Sequence, residues 1–275
     1  MTMTAKPKSF KIGDLKVGGS APLFLIAGPC VIESEKLTLQ IAKELKKICA
    51  RVGIGLIFKA SFDKANRSSI DSYRGPGLEK GLRILGRIKN ELGLPVLSDI
   101  HEPAQAEPCA KILDVIQIPA FLSRQTDLII AAAQTGKALQ IKKGQFMSPE
   151  EMKNVAEKAV RAGAKKILLC ERGTFFGYHN LVVDFRSFQI MSELGWPVVF
   201  DVTHSVQRPA GAGKKSSGDR KFIPMLAKAA VAAGVDGLFM EVHPNPEKAL
   251  SDGANSWPLG KVEDLLREIR KVDSR

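Results

Sequence analysis

The sequence lacks the features that mark a membrane or a secreted protein. No apolar run approaches the ~20 residues that a membrane-spanning helix needs, and the opening segment, MTMTAKPKSF, holds no apolar stretch of signal-peptide length. Only four cysteines occur among 275 residues, and none of them forms a CxxC pair. This spacing argues against a disulfide framework and against a zinc ribbon. We therefore expect a cytoplasmic protein that binds no membrane and whose cysteines are free thiols or metal ligands.

Aromatic residues are also scarce, at 6% of the sequence, whereas basic residues exceed acidic ones and give a formal net charge of +12. A surplus of this size favours anionic partners, such as nucleic acid, a membrane surface or phosphorylated metabolites. Proteins that bind nucleic acid without reading its bases usually add stacking aromatics to a basic groove, and this chain has few. A basic nucleic-acid-binding protein stays the alternative of another class. Cations clustered on one outer face would favour it, whereas cations spread over strand ends would favour small anions.

Short apolar segments recur along the whole chain and alternate with segments of helical periodicity such as LEKGLRILGRIKNELG. Nearly continuous apolar runs are typical of strands buried on both faces of a parallel sheet. An α/β barrel of eight strand–helix units usually takes about 250 residues. We therefore predict a (β/α)₈ TIM barrel as a single domain over residues 1–275, with a short N-terminal hairpin, FKIGDLKVGG at 10–19, covering its base. The predicted strands span residues 23–28, 55–62, 95–100, 115–119, 138–144, 166–173, 197–204 and 237–243.

The carboxyl ends of barrel strands carry the active site in this architecture. Every predicted strand ends on a residue that is polar or able to bind a metal, and a solvated strand end is the plainer explanation for any one of them. The eight residues are Cys30, Lys59, Asp99, Gln117, Lys142, Arg172, His204 and Glu241. The segment RPAGAGKKSSGDR, residues 208–220, is rich in glycine, serine and lysine and is expected to form a mobile loop over the site.

Cations outnumber acids at these strand ends. Lys59 and Lys142 stand in apolar strand sequence, and a buried lysine needs an anion nearby. A neighbouring carboxylate would serve as that anion, but the surplus of cations suits substrates that carry phosphates and a carboxylate. Further cations follow the strands at Lys64, Arg67, Arg124, Lys143 and Arg172.

A possible metal site follows from the closure of the barrel, because its first, seventh and eighth strands are then neighbours. One thiolate, one imidazole and two carboxylates would meet there and suit iron, zinc or manganese. Each residue also has a plainer explanation: a buried thiol, an acid–base histidine without metal, or a turn aspartate. The four residues are Cys30, His204, Glu241 and Asp252, and His101, His179 and His243 are alternative ligands.

At these residues the sequence resembles the 3-deoxy-D-manno-octulosonate 8-phosphate synthase family, and the resemblance covers nearly the whole chain. It is carried by AGPC, FKASFDKANRSSIDSYRGPGLEKG, IQIPAFLSRQTDL, KKGQF, ERGTFFGYHNLVVDFRS, DVTHSVQ and EVHPNPEKALSDG. It implies a usually tetrameric (β/α)₈ barrel that condenses phosphoenolpyruvate with D-arabinose 5-phosphate and water. The products are 3-deoxy-D-manno-octulosonate 8-phosphate and phosphate, on the route to the inner core of lipopolysaccharide. The family has a metal-dependent class with cysteine after the first strand and a metal-independent class with asparagine there, and Cys30 resembles the former.

The resemblance also implies roles for single residues. The metal ligands it implies are the set already suggested by adjacency: Cys30, His204, Glu241 and Asp252. It assigns phosphoenolpyruvate to Lys59, Lys64, Lys142 and Arg172, with Arg124 and Gln117 in support. It assigns the phosphate of the pentose to Asn66, Arg67 and Ser68, with Asp99 facing the sugar. From this set we take as candidate catalytic residues Lys59, Asp99, Lys142 and His204.

The nearest rival is the sister family, 3-deoxy-D-arabino-heptulosonate 7-phosphate synthase, which uses erythrose 4-phosphate. It resembles this chain in fold and metal set but carries a KPRTS-type motif where this sequence has KANRSS. The sequence therefore predicts the pentose phosphate as the aldose.

Overall fold

Eight parallel strands, each followed by a helix, close into a barrel and confirm the predicted architecture. The computed structural model describes residues 7–67, 69–175, 178–212 and 215–275. The barrel strands are β1 (Phe24–Gly28), β2 (Gly55–Lys59), β3 (Val96–Asp99), β4 (Val115–Ile118), β5 (Ala138–Lys142), β6 (Ile167–Glu171), β7 (Val198–Asp201) and β8 (Gly237–His243). They pair in the order β7-β6-β5-β4-β3-β2-β1-β8, and a parallel pairing of β7 with β8 closes the ring.

The helices surround this ring. They are α1 (Glu35–Val52), α2 (Leu78–Leu92), α3 (Ala106–Ala110), α4 (Thr126–Gln134), α5 (Met152–Arg161), α6 (Arg186–Ser192), α7 (Ile223–Ala232) and α8 (Val262–Arg270). The limits of α1 follow from local chemistry, because the Ser34 hydroxyl accepts a hydrogen bond from the Leu37 amide and Gly53 ends the helix at φ 71°. In the described part of the chain, no helix is both long and apolar enough to cross a membrane.

Two apolar layers hold the barrel together. The outer layer lies between the strands and the helices, whereas the inner layer fills the barrel with residues such as Phe24, Ile57, Leu97 and Phe239. Side chains alternate between these layers because successive residues of a strand point to opposite faces. Both faces of every barrel strand are therefore buried, as its apolar sequence predicts.

The predicted N-terminal hairpin is confirmed as an antiparallel pair, Phe10–Ile12 with Leu15–Val17. Ile12 and Val17 are buried in the inner apolar layer. Leu15 packs against Gly55 at the start of β2, so closely that a Cβ on Gly55 would overlap it. The hairpin thus covers the amino ends of the strands, and the opposite mouth is where chemistry is expected.

Most of the segment predicted as a mobile loop, residues 208–220, belongs to a further hairpin. Its strands, Gln207–Ala212 and Lys215–Gly218, pair antiparallel, and residues 213–214 lie outside the described residues. The Asp219 amide donates to the carbonyl of Val206, which fixes the base of this hairpin beside β7. The mobility itself stays a prediction.

Candidate active site and metal centre

The inner face of the barrel changes from apolar to charged within two residues along several strands. On β2, Ile57 belongs to the inner apolar layer and Lys59 follows it on the same face; on β8, Phe239 is followed in the same way by Glu241. A cavity of about 600 Å³ opens above this change. It is lined by most of the residues that the sequence predicted, among them Lys59, Lys64, Lys142, Arg172, His204 and Glu241.

A close approach of backbone explains why AGPC ends the first strand. A Cβ on Gly28 would lie 1.8 Å from the carbonyl oxygen of Lys59, so only glycine lets β1 run this close to β2. Cys30 follows two residues later and is 4% exposed. Its carbonyl oxygen accepts a hydrogen bond of 2.8 Å from Lys59 Nζ. The chain thus carries the thiol to the mouth of the barrel instead of into the outer core.

Three of the four predicted metal ligands meet in one cluster. Ligand atoms of Cys30, Glu241 and Asp252 all lie within 4.8 Å of one another. The thiol Sγ lies 3.0 Å from Ser251 Oγ and 3.3 Å from Asp252 Oδ2. In the described part of the chain, no other group of three such side chains comes as close together.

The fourth predicted ligand, His204, stands at the border of this cluster. Its Nε2 lies 3.5 Å from Glu241 Oε2 and 3.8 Å from Asp252 Oδ2. Its Nδ1 lies 2.7 Å from Asp201 Oδ2. A carboxylate on one ring nitrogen is the arrangement that orients a histidine to offer its other nitrogen to a metal.

The electrostatics of the cluster suit a cation. Burial and the charge of Glu241 raise the pKa of the Cys30 thiol well above its usual range. Burial raises the pKa of Glu241, but the charges of Lys59 and His204 outweigh burial and hold that pKa at about 2. Glu241 Oε2 is buried and has no hydrogen-bond partner among the described residues. An unpaired acceptor beside a carboxylate and a thiol fits a divalent ion, which would also stabilise the thiolate.

The alternative histidine ligands lie elsewhere. His101 Nε2 is 3.1 Å from Asp99 Oδ2, and His243 Nε2 is 3.5 Å from Glu33 Oε1. Neither belongs to the cluster of thiol and carboxylates.

Two predicted lysines lie between the predicted metal ligands and the rest of the cavity. Lys59 Nζ is 2.7 Å from Glu241 Oε1, and Lys64 Nζ is 3.7 Å from the same oxygen. Burial lowers the pKa of Lys64, but its interactions with Cys30 and Glu241 outweigh burial and hold that pKa well above its usual value. Part of the positive charge of Lys59 is therefore matched by a carboxylate, the plainer explanation that the sequence left open.

Cations from β5 and β6 line the opposite side of the cavity. Lys142 Nζ forms an ion pair with Asp201 and lies 3.7 Å from the ring centroid of Phe239. Arg172 is 4% exposed, and its Nη2 donates a hydrogen bond of 3.1 Å to Gln207 Oε1. Its Nη1 is buried and has no acceptor within the described residues. A buried donor of this kind is available to an anion.

Two of the three residues predicted for the pentose phosphate, Asn66 and Arg67, line the cavity at its rim. Arg67 Nη1 donates a hydrogen bond of 2.6 Å to Ser251 Oγ, the hydroxyl that also contacts Cys30. Asn66 is exposed and lines the cavity, and Ser68 lies outside the described residues. Asp99 accepts hydrogen bonds from Ser61 and is paired with His101.

The electrostatic state of Asp99 follows from these neighbours. Burial opposes its ionisation, but the hydrogen bond of His101 and the charge of Lys64 hold its pKa well below the usual range. Asp99 is therefore an anion at neutral pH and a hydrogen-bond acceptor that faces the cavity.

Two predicted supporting residues differ in their placement. Gln117 lines the cavity and accepts a hydrogen bond of 3.1 Å from Gln140. Arg124 is exposed and does not line the cavity in the described part of the chain. Its predicted role toward phosphoenolpyruvate therefore has no support from this geometry.

Several residues at the site were not found from the sequence. Asp201 orients His204. Ser251 contacts both Cys30 and Arg67. Gln207 accepts from Arg172 and donates through Nε2 to Asp252 Oδ1 at 3.4 Å. The period of two along β7 was a usable signal for Asp201, because Val199 belongs to the inner layer. Ser251 and Gln207 lie in loops, where no periodicity places a side chain.

A second depression lies outside the barrel, against α1. It is open, has a volume of about 940 Å³ and is lined by Leu39, Lys43, Arg87 and Leu259 among others. None of the predicted site residues faces it. We therefore place the chemistry at the mouth of the barrel.

Known proteins resemble this chain over nearly its whole length. The sequence model of the DAHP synthetase I family matches residues 2–275. A relative from Syntrophotalea carbinolica, named 2-dehydro-3-deoxyphosphooctonate aldolase, is 56% identical over 268 residues, which cover 98% of this chain and 97% of the relative. Relatives with the same name from Geobacter sp. (strain M21) and Desulfatibacillum aliphaticivorans are 57% and 58% identical, over 97% and 96% of this chain and 98% and 97% of their own.

Proposed function

This chain belongs to the DAHP synthetase I family, and we propose that it condenses phosphoenolpyruvate with D-arabinose 5-phosphate and water. The products are 3-deoxy-D-manno-octulosonate 8-phosphate and inorganic phosphate, a step toward the inner core of lipopolysaccharide. The observation that carries the proposal is the name shared by relatives that are 56–58% identical over nearly the full chain. The cationic cavity supports it, because two phosphorylated substrates repel each other unless fixed positive charges hold them together.

Phosphoenolpyruvate is assigned to the side of the cavity formed by β5 and β6. Lys142 and Arg172 are buried there, and Arg172 Nη1 has no acceptor within the described residues. A guanidinium binds phosphate or carboxylate through two parallel hydrogen bonds, and a lysine adds a compact charge. Lys59 and Lys64, which the sequence also assigns to phosphoenolpyruvate, face the same cavity from the side of β2.

The pentose phosphate is assigned to the rim beside β2. Asn66 and Arg67 line this part of the cavity, and Ser68 is the further residue that the motif implies. Asp99 is ionised and accepts hydrogen bonds, which suits the hydroxyl groups of a sugar. The aldehyde carbon of the pentose would then lie between the two phosphate sites.

The reaction joins the two substrates at carbon. The C3 atom of phosphoenolpyruvate forms a bond to the aldehyde carbon, and water adds to C2 as a hydroxyl group. The proton that the water loses balances the one that the aldehyde oxygen gains. The tetrahedral C2 centre then releases phosphate by cleavage of its C–O bond. Fixing both substrates in a reactive orientation lowers the barrier by ~7–11 kcal/mol in favourable cases. In this proposal Lys59, Lys142, His204 and Asp99 hold the reacting groups in that orientation.

A divalent metal ion belongs to the proposal. Cys30, His204, Glu241 and Asp252 would hold it, and Asp201 would orient His204. Bound there, the ion supplies a Lewis acid that orients the aldehyde or lowers the pKa of a water molecule. Iron, zinc and manganese all suit this mixed set of ligands.

Chelation tests the metal dependence. We expect a chelator to abolish turnover and a divalent metal to restore it, with elemental analysis of the freshly purified protein identifying the ion. Full activity of thoroughly metal-free protein would contradict the metal-dependent assignment.

The substrate assignment is tested with a choice of aldose phosphates. Phosphate release from phosphoenolpyruvate is measured with D-arabinose 5-phosphate and, separately, with erythrose 4-phosphate. We expect turnover with the pentose alone. Preference for erythrose 4-phosphate would move the chain to the sister activity of its family, and turnover with neither would refute the proposal. The tetrameric assembly and the cytoplasmic location stay predictions.

A further inference from the structure

A fully buried ion pair lies directly behind the two cations of the β5–β6 side. Lys143 and Glu171 are 0% and 1% exposed, and Lys143 Nζ is 3.6 Å from Glu171 Oε1. Each is the chain neighbour of a residue that lines the cavity, Lys142 on β5 and Arg172 after β6. Neither side chain lines the cavity itself, so the pair does not touch substrate.

Glu171 holds the backbone on which Arg172 stands. Its Oε1 accepts hydrogen bonds from the Arg172 and Gly173 amides, at 3.1 and 2.6 Å. Its other oxygen, Oε2, has no partner within the described residues. The hydrogen bonding of this carboxylate is therefore directed at the turn that aims the guanidinium.

Lys143 holds both strand ends at once. Its Nζ donates to the Met147 carbonyl at 3.1 Å, in the loop after β5, and to Thr174 Oγ1 at 2.9 Å, beyond β6. The parallel ladder between the two strands ends just before this point, where the Lys143 amide donates to the Cys170 carbonyl. Beyond that bond, the segments that follow β5 and β6 are connected by the ammonium group and by a backbone hydrogen bond of 3.1 Å from the Phe175 amide to the Gln145 carbonyl.

A buried ion pair is seldom retained for stability, because removing two charges from water costs about as much as their attraction returns. Burial also drives the two partners toward their neutral forms, lowering the pKa of Lys143 and raising that of Glu171. Apolar side chains of similar size would fill the space without that cost. A geometric role for the pair explains its presence better than a stabilising one.

We propose that Lys143 and Glu171 are positioning residues that fix the separation of Lys142 and Arg172, and thereby the affinity for phosphoenolpyruvate. The inference deepens the proposed function, on which it rests. It implies that loss of the pair weakens one substrate selectively, because the pentose phosphate is bound on the other side of the cavity.

The test uses the metal-loaded protein and the variant Lys143→Met, which keeps an unbranched side chain only one atom shorter and removes the charge. We expect the KM and the calorimetric Kd for phosphoenolpyruvate to rise roughly tenfold, less than the ~10²-fold loss that a 1 Å misplacement of reacting groups causes. The KM for D-arabinose 5-phosphate should change less than about threefold by the same reasoning, since its site is not displaced. Metal content should not change.

Two further variants keep the outcome interpretable. Thr174→Val removes only the hydroxyl acceptor of Lys143, so it should fold and shift the phosphoenolpyruvate constants in the same direction by a smaller factor. Lys89→Met is the control, because the partly exposed Lys89 pairs with Asp114 at 2.7 Å and also donates to a carbonyl but does not line the cavity. It should leave both KM values unchanged.

Unchanged constants in folded Lys143→Met, or an equal rise for both substrates, would overturn the inference; if that variant does not fold, Thr174→Val decides in the same way. Failure of the proposed function is recognised in a different way. If the wild-type protein binds phosphoenolpyruvate but does not turn over the pentose, the proposed function is wrong, and the Kd values of wild type and variants still test the positioning role. A wild-type protein that binds no phosphoenolpyruvate overturns both.

Discussion

Two charged side chains leave opposite kinds of atom unpaired, one on the side of the cavity proposed for the metal and one on the side proposed for phosphoenolpyruvate. Beside β1 and β8, Glu241 Oε2 is a buried acceptor with no hydrogen-bond partner in the described part of the chain, next to a thiol and a second carboxylate. Beside β6, Arg172 Nη1 is a buried donor in the same condition. Burial makes each unpaired group costly unless a ligand satisfies it. The acceptor side therefore suits a cation, and the donor side suits a phosphate or carboxylate.

Lys59 connects the two sides. Its ammonium group pairs with Glu241 and also donates to the carbonyl of Cys30, so it partly neutralises the acceptor side. At the same time it faces the cavity that the anionic substrates would enter. The comparison thus predicts that no residue binds both the metal and phosphoenolpyruvate. Lys59 contacts a predicted metal ligand, Glu241, and also faces the cavity that the substrate would enter.

The largest effect is expected from a substitution on the acceptor side. Glu241→Gln keeps the shape of the side chain and removes one negative charge from the cluster. We expect metal content to fall to background and turnover to drop by at least ~10²-fold, beyond the 10–100-fold that loss of an outer-shell partner costs. Elemental analysis and a phosphate-release assay measure both.

Glu263→Gln is the control for that variant, because Glu263 pairs with Arg51 and Arg267 on the outer surface. It should keep both metal and activity. A Glu241→Gln protein that retains its metal would remove Glu241 from the ligand set.

The next largest effect is expected from a substitution on the donor side. Arg172→Lys keeps a positive charge but loses the planar fork that binds two oxygens of an anion. We expect the KM for phosphoenolpyruvate to rise about 10- to 100-fold, which is the range for loss of one charged hydrogen bond, while metal content stays at the wild-type level. Steady-state kinetics at saturating pentose phosphate measure the change. Loss of metal in this variant would show that the two sides are not separate.

A smaller effect is expected at the rim. Arg67→Ala should raise the KM for D-arabinose 5-phosphate roughly tenfold, because one charged contact to a phosphate is lost at a partly exposed site. The KM for phosphoenolpyruvate should change far less. Equal effects on both substrates would argue against placing the pentose phosphate here, since Arg67 also contacts Ser251 next to the metal cluster.

The sequence predicted the barrel and most of the cavity because both depend on regular periodicities. Strand ends of a closed parallel barrel must converge, so Cys30, Lys59 and Glu241 follow from counting strands. The ionic partners did not follow in the same way. Lys142 pairs with Asp201 and Lys59 with Glu241, and only the register between strands far apart in sequence decides these pairs.

Loops and neighbouring surfaces were harder to predict. Ser251 lies in a loop after β8, where no repeat fixes the direction of a side chain, and yet it contacts both Cys30 and Arg67. Arg124 has the residue type that an anion site needs, but it lies on the exposed part of the chain outside the cavity. The residue type and the motif of Arg124 therefore predicted a role in binding phosphoenolpyruvate that its position in this chain does not support.

The smallest effect on chemistry is expected below both sides, at the base of the barrel. Ile12 is 2% exposed and belongs to the inner apolar layer through the N-terminal hairpin. Ile12→Ala should lower the free energy of unfolding by about 2–4 kcal/mol, as large-to-small substitutions in a core do. Metal content and both KM values should stay at their wild-type levels, because none of the described hairpin residues lines the cavity. Chemical denaturation and steady-state kinetics check the two halves of this expectation. A selective rise in the KM of one substrate would mean that the base supports one side of the cavity more than the other, and the contrast between acceptor and donor sides would then extend through the whole barrel.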